Sequence, residues 1–164
     1  MSADCRSSNM LHAPYRVCLA QTLSEPEQQT SASLLCLLPA ACVANVQLND
    51  DDVLETSFIH IKGIVDGRGL ACPMPLLKTK VALRNVAIGD SLYVVATDPN
   101  SQADITAFCR QAQQADADNG LSLVVNQTTH QDTYKNSDQA FADTAPKMPF
   151  DTIYHFIITK TDSN

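Results

Sequence analysis

At 164 residues and 45% hydrophobic content, the chain is long enough for one domain with a real core and appendages. A net charge of −7 excludes the basic footprint that holds a nucleic-acid backbone, so direct nucleic-acid binding is not expected. The six cysteines (Cys5, Cys18, Cys36, Cys42, Cys72 and Cys109) include no Cys-x-x-Cys, and with the four histidines they form no zinc-ligand spacing. A reducing, cytoplasmic compartment is the simplest expectation.

Residues 1–57 read as a leader of uncertain structure, disordered or partly helical. They hold 2 basic and 7 acidic residues, so most of the net charge lies here. Met1–Thr30 is polar and aperiodic, contains Pro14 and Pro26, and is expected to be disordered. The apolar run LLCLLPAACVANVQL that follows is too short to span a bilayer as a helix. Glu25 and Glu27 stand where a signal peptide needs basic residues. Leu38–Cys42 resembles a lipoprotein cleavage site, but Pro39 stands where a branched apolar residue is wanted. Anchoring through Cys42 therefore ranks below a disordered leader, a short docking helix, or an upstream start included in the reading frame. Asn49-Asp50-Asp51-Asp52 closes the segment as a solvated linker.

Phe58–Val65 is β-branched and reads as the first strand of a domain over residues 58–160. Gly67 and Gly69 then mark a tight turn. Pro73 and Pro75 fit positions N1 and N3 of a helix over Pro73–Val86, which puts Cys72 at or beside the N-cap. A thiol there faces orphan backbone N–H groups and the positive end of the helix dipole, which lowers its pKa and frees a thiolate. The alternative is that Cys72 is a small buried hydrophobe, as free cysteines commonly are. A strand, a Gly-x-Gly turn, a cysteine and a Pro-x-Pro helix start favour the reactive reading. On the helix, Leu76, Thr79, Leu83 and Val86 share one face and are expected to pack on a sheet. Lys78, Lys80 and Arg84 lie off that stripe, either as a solvated face or as a guide for an acidic partner.

Ser91–Thr97 is a nearly continuous apolar strand, as expected in the middle of a sheet. With the first strand and helix it makes a right-handed βαβ unit, so its end lies on the same edge as Cys72. Asp98 in the Asp98-Pro99 loop then either approaches the thiol or simply holds its own turn. Ser101 is expected to begin the second helix, with Asp104 as its capping-box partner. Ile105, Phe108, Ala112 and Ala115 mark the buried face, Cys109 beside it is structural, and Asn119-Gly120 ends the helix. Leu121–Gln127 alternates as a half-buried strand through Leu121, Leu123 and Val125, and Thr152–Thr159 is the last strand. His155 lies mid-strand, and nothing in the sequence links it to Cys72. Thr128–Phe150 is a polar insertion at about 128–150, long for a hairpin loop. The expected fold class is α/β: a two-layer sandwich, β-α-β-α-β-β, with two helices on one face of a four-stranded mixed sheet and the other face at least partly exposed.

The run Asp66-Gly67-Arg68-Gly69-Leu70-Ala71-Cys72-Pro73-Met74-Pro75 closely resembles the signature of the TusA/SirA-like sulfur-carrier proteins, marked by Cys-Pro-x-Pro opening the first helix. The resemblance continues through Gly89-Asp90, Ser91–Thr97, Asp98-Pro99 and on to Phe108-Cys109, and covers about Ile59 to Lys160. The leader and the 128–150 insertion depart from that family. The resemblance implies the same fold and gives Cys72 the role of persulfide carrier, with Asp66, Gly69, Pro73, Pro75 and Asp98 as motif and turn support. It implies a cysteine desulfurase or a rhodanese as sulfur donor. The acceptor it implies belongs to the tRNA 2-thiouridine relay or to sulfur-oxidation or molybdenum-cofactor pathways.

The functional expectation is a sulfurtransferase acting as a persulfide relay, with no metal, no organic cofactor, no membrane contact and a monomeric chain that docks transiently. The alternative is a protein-binding regulatory module that uses the exposed sheet and the edge around Cys72 without sulfur turnover.

Overall fold

The structure, a computed structural model, describes residues 15–39, 42–47, 58–114, 120–130 and 152–161. In chain order these form β1 (Tyr15–Leu19), α1 (Glu25–Leu35), β2 (Val43–Gln47), β3 (Phe58–Gly67) and α2 (Met74–Leu83). There follow β4 (Ser91–Ala96), α3 (Asn100–Gln114), β5 (Gly120–His130) and β6 (Thr152–Thr161). All six strands join one sheet in the order β2-β1-β3-β4-β6-β5. The first four in that order run parallel, and β6 is antiparallel to both β4 and β5.

The fold is α/β with a mixed sheet, as expected, but the described residues form six strands and three helices rather than four and two. The additional βαβ unit comes from the segment read as a leader, where disorder was expected over Met1–Thr30. Its strands escaped the sequence reading for a physical reason. β1 has only 5 residues, and Val17, Cys18 and Leu19 are all buried because the strand lies between β2 and β3. Three consecutive buried side chains show no alternation, so periodicity has nothing to detect. The start of α1 does carry a local signal. The Glu27 carboxylate accepts both the backbone N–H and the hydroxyl of Ser24, each at 2.8 Å. Glu25, Pro26 and Glu27 in the first turn also suit the helix dipole and its unpaired N–H groups. Those acids mark a helix start.

The second expectation to be corrected is the pair of layers. Right-handed crossovers that leave β1 and β3 in opposite directions must place their helices on opposite faces of the sheet. Accordingly, there are two apolar cores. Leu83, Val86 and Ile105 of the α2 and α3 side pack with Leu92, Val94, Ala96, Phe156 and Ile158. On the other face, Leu34 and Leu35 of α1 and Leu38 pack with Val17, Leu19, Ile61, Tyr93, Val95 and Ile157. β4 is therefore buried at every position, with its alternate side chains in different cores. The arrangement is a three-layer α/β/α stack rather than a two-layer sandwich with an open face.

Smaller differences follow from local geometry. The alternation of Leu121, Leu123 and Val125 is broken by a bulge between Leu123 and Val125. Leu121 and Leu123 face α3, while Val125 turns into the opposite core. β3 extends two residues beyond Val65, and β5 extends to His130. The rest of the expected insertion, 131–150, lies outside the described residues, as do the expected linker Asn49–Asp52 and Ala115. Among the described residues, no helix is long and apolar enough to cross a membrane.

Candidate functional site

Two connections meet at the carboxyl edge of the parallel strands: the turn from β3 to α2 and the turn from β4 to α3. The pairing of Gly67 with Ala96 brings the two strand ends level. A side chain on Gly67 would place its Cβ 2.8 Å from the Val95 carbonyl oxygen and 3.2 Å from Pro75 Cβ, so glycine lets the start of α2 press onto the sheet. Gly69 has a φ of 80°, the left-handed conformation that glycine adopts without penalty. Its N–H donates to the Thr97 hydroxyl at 2.9 Å, tying one turn to the other.

Cys72 stands where these turns converge. It is half-buried, its peptide bond to Pro73 is cis, and it precedes the helix by one residue more than expected. Pro73 is the N-cap, Met74 is N1, and Pro75 is N2. The Cys72 N–H donates to Asp98 at 2.8 Å, and the other oxygen of that carboxylate accepts the Asn100 N–H at 2.8 Å. Asp98 thus fulfils both roles left open by the sequence: it holds the start of α3 and fixes the backbone of the thiol residue. These N–H donors, Cys72 first, hold its carboxyl below the usual carboxylate range.

The thiol itself is directed to α3, where Sγ–H donates to the carboxylate of Asp104. This overturns the expectation of a thiolate stabilised by the start of α2. The hydrogen bond to Asp104 comes first among the causes, followed by desolvation and the charges of Asp104 and Asp98; together they push the thiol up to about 11. At neutral pH the free chain carries a protonated Cys72.

The expected capping box is likewise absent. Asp98 rather than Ser101 caps α3, Ser101 is buried inside the first turn, and Asp104 is engaged by Cys72. The sequence contained the signal that would have found Asp104. The parallel βαβ geometry that delivers Asp98 to the thiol edge also delivers the first turns of the helix behind it. The other expected support residues have different duties. Asp66 grips Arg68 through two side-chain hydrogen bonds, at 2.9 and 2.8 Å, and Pro75 packs against Gly67.

On α2, Thr79, Leu83 and Val86 are buried and Leu76 packs against the same core. Met74, Leu77 and Val81 form the opposite stripe and are 45%, 47% and 57% exposed. Lys78 and Arg84 are solvated, while the Lys80 ammonium lies 5.0 Å from the Phe108 ring centroid. Cys109 is only 2% exposed within the helix-side core, and burial pushes its thiol up to about 11. His155 is buried on the other face between the Tyr93 hydroxyl at 2.7 Å and the Thr129 hydroxyl at 2.6 Å.

Fold and site define a small α/β protein that presents the half-buried Cys72 just before a proline-opened helix, at the carboxyl edge of the parallel strands. Residues 64–126 match the family model described as sulfurtransferase TusA. A putative sulfur carrier protein of Halobacterium salinarum is 37% identical over 87 residues, 53% of this chain and 89% of that protein. A putative sulfur carrier protein of Neisseria meningitidis serogroup A is 49% identical over 47 residues, 29% of this chain and 64% of that protein. The sulfur carrier protein TusA of Allochromatium vinosum is 45% identical over 47 residues, 29% of this chain and 62% of that protein. The chain belongs to the TusA sulfur-carrier family. The matched stretch thus spans somewhat under two thirds of the Neisseria and Allochromatium relatives.

Proposed function

We propose that this chain is a sulfur carrier in which Cys72 accepts a sulfane sulfur from a donor protein's persulfide, holds it as Cys72–S–SH and yields it to an acceptor protein. The observation that carries the reading is the placement of Cys72. Its backbone is pinned by Asp98 on a rigid rim, its sulfur is reachable, and the exposed stripe of Met74, Leu77 and Val81 begins two residues away. Persulfide transfer proceeds by attack of a thiolate on a sulfur atom, so it needs an approachable thiol and a partner's docked site rather than a deep pocket. Cys109 offers neither, being enclosed in the core. The names of the relatives, sulfur carriers throughout, support the same reading.

On this reading residues 58–160 hold the carrier unit. The chain acts in the cytoplasm as a monomer that docks transiently and carries no cofactor. A cysteine desulfurase or a rhodanese supplies the sulfur, and a tRNA-thiolation relay or another sulfur-trafficking pathway receives it. The test is intact-mass spectrometry after incubation with a cysteine desulfurase and L-cysteine, repeated with glutathione persulfide. Wild type and Cys109→Ser are expected to gain about 32 Da, and Cys72→Ser is expected to gain nothing. Failure of the wild type with both donors, while Cys72 still alkylates, overturns the carrier reading. It would leave the exposed α2 stripe as the mark of a binding module without sulfur turnover.

A further inference from the structure

The site has an unusual feature for a thiol that must attack: both charged groups acting on Cys72, Asp104 and Asp98, are carboxylates. Asp98 is committed to two backbone N–H groups. Asp104 is half-buried on α3, and its one described hydrogen bond is the one it accepts from Sγ. A carboxylate bound to S–H favours the protonated thiol, which is the form that cannot attack a sulfur. The chain places no compensating cation on Cys72 among its described residues. The Lys80 ammonium lies over the Phe108 ring of α3.

We infer that Asp104 selects the sulfur donor: it keeps Cys72 protonated and unreactive until a docked partner sets a lysine or arginine against the Asp104 carboxylate. This inference rests on the sulfur-carrier reading and adds the kind of partner the site accepts, one that presents a cation beside its persulfide. When the cation pairs with Asp104, the hydrogen bond from Sγ is released and the thiol can ionise. The Cys72 thiolate attacks the outer sulfur of the donor R–S–S–H, a new Sγ–S bond forms, and the donor S–S bond breaks. R–S⁻ leaves with the bonding pair and takes up the proton that Cys72 gave up. The products are Cys72–S–S–H and R–SH, with no external oxidant or reductant. A cation within about 4–6 Å of a carboxylate at a protein surface is worth enough to change the rate roughly ten-fold or more.

Methanethiosulfonate reagents test this without a partner, because each delivers a sulfur substituent to a thiolate and they come in cationic, anionic and uncharged forms. The reagents are the trimethylammonium-ethyl, sulfonato-ethyl and methyl forms, and modification is read at Cys72 and at exposed Cys36 by peptide mass mapping. Cys36 supplies each reagent's intrinsic reactivity. The expected wild-type result is a cation-over-anion rate ratio about ten-fold larger at Cys72 than at Cys36, shrinking as salt rises. In Asp104→Asn the excess ratio should fall to the smaller remainder set by Asp98, and the uncharged methyl reagent should modify Cys72 about ten-fold faster. That figure follows from a larger thiolate fraction partly offset by lower intrinsic nucleophilicity. Asp104→Glu should retain the preference. A wild-type ratio at Cys72 equal to that at Cys36 overturns the inference even if no Asp104 variant folds. So does a preference that persists unchanged in a folded Asp104→Asn. Either result leaves the carrier reading intact if wild type still loads sulfur from glutathione persulfide.

Discussion

Cys72 and His155 show how differently two titratable side chains can be set by their neighbours. Cys72 lies at a rim where a carboxylate accepts its proton, so it is held neutral by a specific hydrogen bond. His155 is held neutral by enclosure: burial lowers it to about 4 from an ordinary 6.5, while its two ring nitrogens meet the Tyr93 and Thr129 hydroxyls. A neutral imidazole has one donor and one acceptor nitrogen, which two hydroxyls can satisfy together. The sign of the pH effect follows. The unfolded chain binds this proton near pH 6.5 and the folded chain only near pH 4, so stability is full above 6.5 and falls across that interval. The loss should reach about 3 kcal/mol by pH 4, read from urea midpoints. A folded His155→Gln chain should show a flatter profile between those values; an equally steep one would place the dependence elsewhere.

The sequence made Cys72 conspicuous because glycines and prolines punctuate its turn, and such punctuation acts through the local backbone alone. Asp104 was misassigned because a carboxylate three residues after a serine has a local use that looks complete. Its contact with Cys72 joins residues 32 positions apart.

Among the elements, α2, β3, β4, α3, β5 and β6 were all legible, since long periodic or strongly β-branched segments announce themselves. α1 and its flanking strands were not. The helix buries only Ser31, Leu34 and Leu35 along its length, too few for an apolar stripe to rise above its polar background. Its stability must come from packing, as is usual for a short helix. Leu35 is 1% exposed in the core formed with Val17, Leu19 and Ile61. Leu35→Ala should therefore cost about 2–5 kcal/mol, measured by chemical denaturation. A cost near that of a surface substitution would mean that α1 does not cover that face. The bulge in β5 belongs to the same scale: a single extra residue reverses which side chains face which core, and alternation in sequence cannot reveal it.

At the scale of the molecule, the sheet is wound outward from β1 and β3, one helix layer on each face. β3 would be an edge strand without β1, leaving a run of unpaired backbone groups beside Ile59 and Ile61. A chain begun at Phe58 should therefore be less stable than the full chain and should self-associate, measured by urea denaturation and by size-exclusion chromatography. A monomer of unchanged stability would show that residues 15–47 are dispensable to the sheet. The stripe of Met74, Leu77 and Val81 lies on the side away from this addition, so the first βαβ unit leaves the thiol rim open.

The sequence by itself determined the α/β class and the glycine- and proline-punctuated turn that carries Cys72, because turn chemistry and apolar periodicity are written in neighbouring residues. Tertiary structure alone decided that β1, α1 and β2 complete the fold, that Asp98 holds the backbone N–H of Cys72, and that the Asp104 carboxylate accepts its Sγ–H. Each of those depends on contacts between segments far apart in the chain, where a side chain's role is set by what folding brings against it.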